Sequence, residues 1–251
     1  MKSYLNRKLI VIEGVDGTGK HTQAVNVQKR IGGNSILVSF PRYGENSANM
    51  VDKYLSGTWS ETRKELSPII TSDFFSIDRS ISYANDAWGE IYDNGGIVIA
   101  DRYTQSNVIH QGCKILFGNS KLTDKYIDPV LADQCKDYIK WLYNHEYNDF
   151  KIPIPNMVFF LYMDEESNKR IIEQRMKDDP SHADIHEKNA EYMEYCRRMV
   201  NILKNDRTYI TDISCKYNIR YIFINESNDD GSLRSIDEIT DEIMEHIIKG
   251  E

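Results

Sequence analysis

The sequence predicts an α/β fold in which helices cover both faces of a parallel, doubly wound, five-stranded sheet. Five short apolar runs carry this prediction, because strands buried on both faces of a parallel sheet read as continuous Ile-, Val- and Phe-rich segments. These runs are 9–13, 35–40, 97–101, 157–163 and 220–225. Helical segments lie between most of them, and such alternation is typical of a doubly wound sheet.

The predicted helices follow from apolar residues that recur every three or four positions. They are 20–31, 71–92, 133–147, 165–175, 184–203 and 235–248. At 251 residues, a single domain with a sizeable core is the simplest organisation. In such a sheet, ligands bind outside the carboxyl ends of the strands, so functional residues are expected just after each strand.

Composition narrows the functional classes. The net charge of −8 argues against a general nucleic-acid-binding surface. The four cysteines are widely spaced and form no C-x-x-C pair, which predicts isolated thiols in a reducing compartment. No apolar run approaches the ~20 residues needed to span a membrane. We therefore expect a cytoplasmic protein.

The segment 9–22, LIVIEGVDGTGKHT, is the most informative stretch. It joins a β-branched strand to a glycine-rich turn and a helix start, and the pattern G-x-x-x-x-G-K from Gly14 to Lys20 is typical of a P-loop. Backbone N–H groups in the turn and at the helix N-terminus would bind phosphate oxygens. Lys20 would reach the β- and γ-phosphates of a nucleoside triphosphate. One position departs from the pattern, because His21 stands where a Ser or Thr usually binds Mg²⁺.

Charged residues follow the second and third predicted strands. Arg42 and Arg102 would flank one cleft, where their planar guanidinium groups suit phosphate oxygens. Asp101 stands where P-loop enzymes place the acidic residue that holds Mg²⁺ or its water. Phe75 and Arg79 lie four residues apart on one helix face, so a ring and a guanidinium could contact the same planar base.

Five ordered blocks of the sequence resemble the bacterial type of thymidylate kinase, a family of P-loop nucleoside monophosphate kinases. The blocks are EGVDGTGK, FPRYG, FFSIDR, DRYTQSN and IPIPN, followed by the region of Arg175 and by DIHE at 184–187 with Tyr192. Together they cover about residues 8 to 205. The resemblance implies a three-layer P-loop NTPase fold, ATP-dependent phosphorylation of dTMP to dTDP in dTTP synthesis, a Mg²⁺ cofactor and a homodimer.

The resemblance also implies roles for individual residues. ATP binding falls to Gly14, Val15, Asp16, Gly17, Thr18, Gly19, Lys20, His21 and Thr22. Binding of dTMP falls to Asp16, Arg42, Tyr43, Phe75, Arg79, Arg102, Tyr103, Asn107, His110 and Gln111. Among these, Phe75 would stack on thymine and Arg79 would donate to its carbonyl edge. The expected catalytic residues are Lys20, Arg102, Arg175 and Asp101, and the expected Mg²⁺ ligands are Asp101 and Asp16.

Two segments and two alternative functions stay open. A lid at about 175–184 should supply the transition-state cation, with Arg175 as first choice, because this P-loop contains no arginine. The stretch 114–152 is expected to be a helical insertion near the cleft or a subunit contact. We expect His21 to be turned aside on the helix surface. The alternatives are a kinase of another nucleoside monophosphate or deoxynucleoside, and a non-catalytic nucleotide-binding paralogue.

Overall fold

Five parallel strands form one sheet in the computed structural model, which describes residues 8–59, 66–118, 126–178, 189–228 and 230–250. The strands are β1 (Lys8–Gly14), β2 (Ser35–Ser39), β3 (Ile97–Asp101), β4 (Met157–Tyr162) and β5 (Arg220–Asn225). They lie in the order β2-β3-β1-β4-β5. The five predicted strands and the predicted fold class are therefore confirmed, with strand ends shifted by at most one residue.

Helices connect the strands and cover the sheet on both sides. Among the described residues they are α1 (Lys20–Ile31), α2 (Asn49–Leu55), α3 (Pro68–Asn85), α4 (Ala87–Asp93), α5 (Thr104–Phe117), α6 (Pro129–Asn144), α7 (Glu165–Asp178), α8 (Ala190–Asn205), α9 (Thr211–Tyr217) and α10 (Ile236–Lys249). A π-helical turn, His145–Asp149, continues α6. Local sequence sets several starts: α3 and α6 each begin with a proline after a capping Ser67 or Asp128.

Side chains of alternating direction on β1 divide the core into two layers. Leu9 and Val11 pack with the cluster that includes α5, α6 and α8. Ile10 and Ile12 pack with α1 and α10 on the opposite face. The parallel sheet is thus buried on both faces, as its uninterrupted apolar runs predicted, and this is the three-layer arrangement expected.

One predicted helix needs correction, and three observed helices were not predicted. The segment 71–92 is two helices, because Asp86 has extended backbone and its carboxylate accepts a hydrogen bond from Ser82. Helix α5 was not predicted at all. Most of its residues are buried, including polar ones, so its sequence shows little contrast between an apolar and a polar face. Helices α2 and α9 were also missed.

The predicted free thiols are confirmed, but one pair of them is not isolated in the fold. Cys113 on α5 and Cys196 on α8 are buried free thiols whose Sγ atoms lie 3.7 Å apart, although 83 positions separate them in the chain.

No helix in the described ranges is long and apolar enough to cross a membrane. Residues 179–184 of the predicted lid, the motif at 184–187 and positions 119–125 of the predicted insertion lie outside the described residues.

Candidate active site

The loop after β1 fits closely against β4. Gly14 has φ +149°, and a Cβ at this position would lie 2.5 Å from the Leu161 carbonyl oxygen and 2.7 Å from Thr18 Oγ1. Thr18 is buried and its hydroxyl donates to the Val15 carbonyl oxygen at 2.8 Å. Only glycine can therefore occupy the first P-loop position with this packing. The loop ends at Gly19, which has φ +59° and precedes the first turn of α1.

Lys20 is buried inside this loop. Its Nζ donates to the Val15 carbonyl oxygen at 2.7 Å and lies 3.5 Å from Asp16 Oδ1. Burial, together with the positive charge of Arg102, lowers the pKa of Lys20 below its ordinary value. These contacts place the ammonium group among the loop residues predicted to bind ATP. Of those residues, Gly19, His21 and Thr22 are exposed.

Asp16 joins Lys20 to Arg102, which follows β3. The Asp16 carboxylate forms an ion pair with the Arg102 guanidinium. Burial opposes ionisation of Asp16, but Arg102 and Lys20 outweigh it and hold its pKa below the usual range. The same pair raises the pKa of Arg102 against the effect of burial. Both cations contact Asp16 through Oδ1, and the role of Asp16 as a Mg²⁺ ligand stays a prediction.

Arg102 is fixed by the backbone around it. It is a non-glycine residue with φ +67°, and its N–H donates to the Ile12 carbonyl oxygen at 3.0 Å. The next N–H, of Tyr103, donates to Glu13 Oε1 at 2.8 Å. This left-handed backbone conformation is uncommon in residues other than glycine, and it occurs more often at functional sites. Sequence reasoning missed Glu13, a buried carboxylate whose pKa is raised by desolvation.

His21 and Asp101 contact each other at the end of β3. His21 Nδ1 lies 2.9 Å from Asp101 Oδ2, while 69% of the His21 side chain is exposed. The expectation that His21 turns aside is therefore wrong in part: the ring is on the helix surface, but it contacts the carboxylate. Among the described residues no group of three or more His, Cys, Asp or Glu side chains could hold a metal ion.

A cleft opens beside Arg102. All but one of the residues predicted to bind dTMP line it, namely Asp16, Tyr43, Phe75, Arg79, Arg102, Tyr103, Asn107, His110 and Gln111. Its remaining wall is formed by Phe40, Pro41, Leu55 and Ser106, which sequence reasoning did not assign. The sheet edge thus brings together residues that are far apart in the chain, at the carboxyl ends of its strands.

Arg42 is the exception. Its guanidinium forms an ion pair with Asp86 and donates to Ser82 Oγ at 2.8 Å, so it faces the break between α3 and α4. Its backbone N–H donates to Asp78 Oδ2 at 2.9 Å. The sequence placed Arg42 correctly after β2, but the partner that turns its side chain away from the cleft lies more than forty positions along the chain.

Phe75 and Arg79 meet the cleft differently. Phe75 packs edge-on against Tyr54, with ring centroids 6.3 Å apart, and is partly buried. Arg79 is 1% exposed and its guanidinium binds both carboxylate oxygens of Glu146. Sequence reasoning missed Glu146, and no local pattern marks it, because its partners come from α3 and α5.

Helix α7 contacts the P-loop through Asn168. Its Nδ2 donates to the Asp16 carbonyl oxygen at 2.8 Å, and its Oδ1 accepts from Arg197 Nη1 at 3.0 Å. Asn168 and Arg197 were not predicted. Arg175, the predicted transition-state cation, lies on α7, and its side chain is outside the part of the chain that the structure describes.

Glu226, the residue after β5, is a further buried carboxyl beside the P-loop. It is 5% exposed, and its Oε2 has no hydrogen-bond partner among the described residues. Desolvation raises its pKa to about 8, although the nearby charges of Lys20 and Arg234 act in the opposite direction. No local pattern marks Glu226 as buried, since a glutamate after an edge strand is usually solvated.

Comparison with solved structures supports the fold. The thymidylate kinase of Candida albicans superposes with a TM-score of 0.64 and 21% identity over 98% of this chain and 92% of that one. The thymidylate kinase of Ehrlichia chaffeensis gives a TM-score of 0.51 and 19% identity over 95% and 97% of the two chains. At these identities the likeness concerns the fold alone.

Sequence comparison establishes the family. The thymidylate kinase family model matches residues 12–118. The thymidylate kinase of Dehalococcoides mccartyi is 35% identical over 106 residues, which are 41% of this chain and about half, 49%, of that relative. The thymidylate kinase of Brachyspira hyodysenteriae is 30% identical over 172 residues, 67% of this chain and 70% of the relative. On this match, together with the P-loop and the fold, the chain belongs to the thymidylate kinase family.

Proposed function

We propose that this chain transfers the γ-phosphoryl group of ATP to dTMP in the cleft between the P-loop and α5. The observation that carries the proposal is the position of Asp16 between two cations. Lys20 belongs to the P-loop, and Arg102 lines the cleft. A donor phosphate at the loop and an acceptor phosphate at Arg102 would therefore lie side by side.

Phosphoryl transfer needs alignment and positive charge more than covalent chemistry. In this proposal Lys20 contacts the transferring phosphoryl group and Arg102 contacts the acceptor phosphate. The acceptor is already ionised, so no strong general base is required. Phe75 provides a ring beside the base, and Arg79 provides N–H donors for a carbonyl edge. Asn107, His110 and Gln111 extend the wall on the base and sugar side.

Of the two carboxylates predicted to bind Mg²⁺, Asp16 is already paired with Lys20 and Arg102, which favours Asp101. Asp101 uses Oδ2 toward His21, and Oδ1 has no part in that contact, so one oxygen is available to Mg²⁺ or its water. Mg²⁺ is commonly bound by one or two carboxylates, phosphate oxygens and several waters. We propose Asp101 as the protein ligand. The bound ion would neutralise charge on the phosphates.

We also propose that Arg175, on α7, supplies positive charge to the transferring phosphoryl group. Helix α7 supports this role because Asn168, two turns earlier, already contacts the P-loop backbone. The segment 114–152 would then act as a helical insertion behind the cleft, within a single kinase domain.

A homodimer in the cytoplasm is part of the proposal. Ile70, Ile77 and Ile81 on α3 are each more than two-fifths exposed and recur at helical spacing, which forms an apolar stripe suited to a second copy. The net charge of −8 favours small-molecule partners over nucleic acid or anionic membrane surfaces. Light scattering of the purified protein measures the oligomeric state directly.

The function is tested by coupled ADP release across a panel of nucleoside monophosphates, because a sister kinase would prefer another member. We expect dTMP to give the highest kcat/KM. Lys20→Ala should lower kcat at least about 100-fold, since the lost cation contacts the transferring charge. Arg30→Ala, at an exposed position on the same helix, is the matched control and should keep the wild-type rate. A wild-type protein inactive on the whole panel would overturn the proposal.

A further inference from the structure

Arg79 is held from behind by a carboxylate that belongs to no predicted part of the site. Glu146 is fully buried in the π-helical turn after α6, and Arg79 is 1% exposed. Arg79 Nε donates to Glu146 Oε2 at 3.0 Å, and Nη2 donates to Oε1 at 2.5 Å. A buried cation is costly unless a charged, hydrogen-bonded partner compensates it. Glu146 provides that partner in the two-point geometry that orients a guanidinium most strictly.

Glu146 is itself fixed by the helices that form the cleft wall. Ser76 Oγ on α3 donates to Oε1 at 2.7 Å, and Thr104 Oγ1 on α5 donates to Oε2 at 2.7 Å. Each carboxylate oxygen therefore accepts from one hydroxyl and from the guanidinium. A carboxylate with both oxygens used in this way has a single orientation, and it transmits that orientation to Arg79.

The pairing determines which edge of Arg79 faces the cleft. Glu146 uses Nε and one hydrogen of Nη2, so Nη1 and the second hydrogen of Nη2 are left. Nη1 makes one long contact, 3.4 Å, to the Tyr103 carbonyl oxygen. Arg79 lines the cleft, these donors are the ones that Glu146 leaves for a ligand, and a guanidinium has no acceptor to offer. A base edge with a carbonyl oxygen would be bound there, whereas an exocyclic amino group would meet like donors.

We propose that Glu146 is a positioning residue for nucleobase selection, which orients Arg79 so that the cleft accepts pyrimidines with a C4 carbonyl and rejects those with a C4 amino group. This proposal rests on the proposed function, because it concerns the same acceptor site. It also gives part of the segment 114–152 a role: that segment supplies the support behind the base rather than a direct contact.

The test measures kcat and KM for dTMP, dUMP, dCMP and ATP in wild type and Glu146→Gln. The amide removes the negative charge and points a donor at Arg79, so we expect the KM for dTMP to rise about 10- to 100-fold. The preference for dTMP over dCMP should fall, and the KM for ATP should stay within about 2-fold. Asp149→Asn is the matched control, since it makes the same change on an exposed side chain of the same turn and should behave as wild type.

Two further variants separate positioning from folding. Thr104→Val keeps the ion pair and removes one hydrogen bond to Glu146, so it should shift the KM for dTMP in the same direction by less. If Glu146 acts through Arg79, Arg79→Gln combined with Glu146→Gln should discriminate no worse than Arg79→Gln alone. Titration calorimetry with dTMP gives a readout that does not need turnover. If Glu146→Gln is insoluble, Thr104→Val decides the matter.

The outcomes are distinct. Parallel losses for dTMP, dCMP and ATP with unchanged preference would show a merely structural role and overturn the inference. An unchanged KM for dTMP in soluble Glu146→Gln, or in Thr104→Val if that is the deciding variant, would overturn it as well. A wild-type protein with no monophosphate kinase activity would instead overturn the proposed function, while calorimetry would still show whether Glu146 affects binding of pyrimidine nucleotides.

Discussion

At the scale of single residues, similar side chains in corresponding loops have different surroundings. Arg42 and Arg102 both follow a strand at the same sheet edge. Arg102 is paired with Asp16 in the cleft, whereas Arg42 is paired with Asp86 outside it. The sequence identified both as phosphate ligands because position after a strand is a local property. The partner that orients each guanidinium is distant in the chain, so their difference could be seen only in the fold.

This difference predicts unequal effects on the acceptor. Arg102→Ala should lower kcat/KM for dTMP about 10- to 100-fold, because a charge-assisted contact to phosphate is worth about 1.5–3 kcal/mol. Arg42→Ala should have a smaller effect on dTMP and cost about 0–1 kcal/mol of stability, as is usual for partly exposed ion pairs. Steady-state kinetics and thermal melts of both variants check this. Equal kinetic losses would mean that Arg42 leaves Asp86 to bind the substrate.

His21 and Asp101 give a second prediction at this scale. His21→Ala should keep most of the activity, because Mg²⁺ prefers oxygen ligands and the exposed imidazole contacts the Asp101 carboxylate. His21→Ser should keep or raise it. Asp101→Asn should cost at least about 10-fold in rate and weaken the response to Mg²⁺, since it removes the proposed ligand charge. Rates measured against Mg²⁺ concentration test all three. A loss in His21→Ala equal to that in Asp101→Asn would make His21 functional in its own right.

At the scale of elements, the sequence predicted best the helices and strands that a local residue pattern determines. The strands were predicted nearly to the residue, because a parallel strand buried on both faces carries its signal in its own composition. Helix α5 was missed because its buried residues include polar ones such as Gln105 and Asn107, so its sequence shows no separate apolar face. The break at Asp86 was missed because apolar spacing continues across it through Trp88. Glu146 was missed because its role depends on tertiary partners, which no local pattern shows.

The junction between the P-loop and β4 predicts an element-scale effect. Gly14→Ala should destabilise the fold by a few kcal/mol, on the order expected for core strain, because its Cβ would clash with the Leu161 carbonyl. Gly95→Ala is the matched control, since its φ is also positive, +84°, but nothing lies within 4 Å of the new Cβ. It should cost only about 1–2 kcal/mol. Urea denaturation compares them, and equal losses would exclude the steric explanation.

At the scale of the whole molecule, one buried carboxyl links stability to pH. Glu226 has its pKa raised to about 8 from an ordinary 4.5, because burial disfavours the charged form. Below about pH 4.5 both folded and unfolded states hold the proton. Between 4.5 and 8 the unfolded state loses it while the folded state keeps it, so the free energy of unfolding falls as pH rises. Above 8 the contribution of this group is constant.

We therefore expect Glu226→Gln to remove a slope of up to about 1.4 kcal/mol per pH unit between pH 5 and 8. The variant should gain stability relative to wild type as pH increases. Chemical denaturation at pH 5, 6, 7 and 8 measures the slope, with exposed Glu45→Gln as the control. Parallel curves for wild type and Glu226→Gln would mean that Glu226 is ionised in the folded protein throughout this range.

The ion pairs of Asp16 have a consequence for how two substrates share the site. A phosphate that binds Arg102 competes with the Asp16 carboxylate for the same guanidinium, and Asp16 is then free to bind Lys20 more strongly. A phosphate that binds Lys20 has the converse effect on Arg102. In the proposed reaction each substrate would thus make the other's cation harder to release, and thermodynamic linkage requires the two penalties to be equal. Through this one carboxylate, binding of either the donor or the acceptor would weaken binding of the other. The antagonism would end once both are bound and Asp16 contacts neither Lys20 nor Arg102.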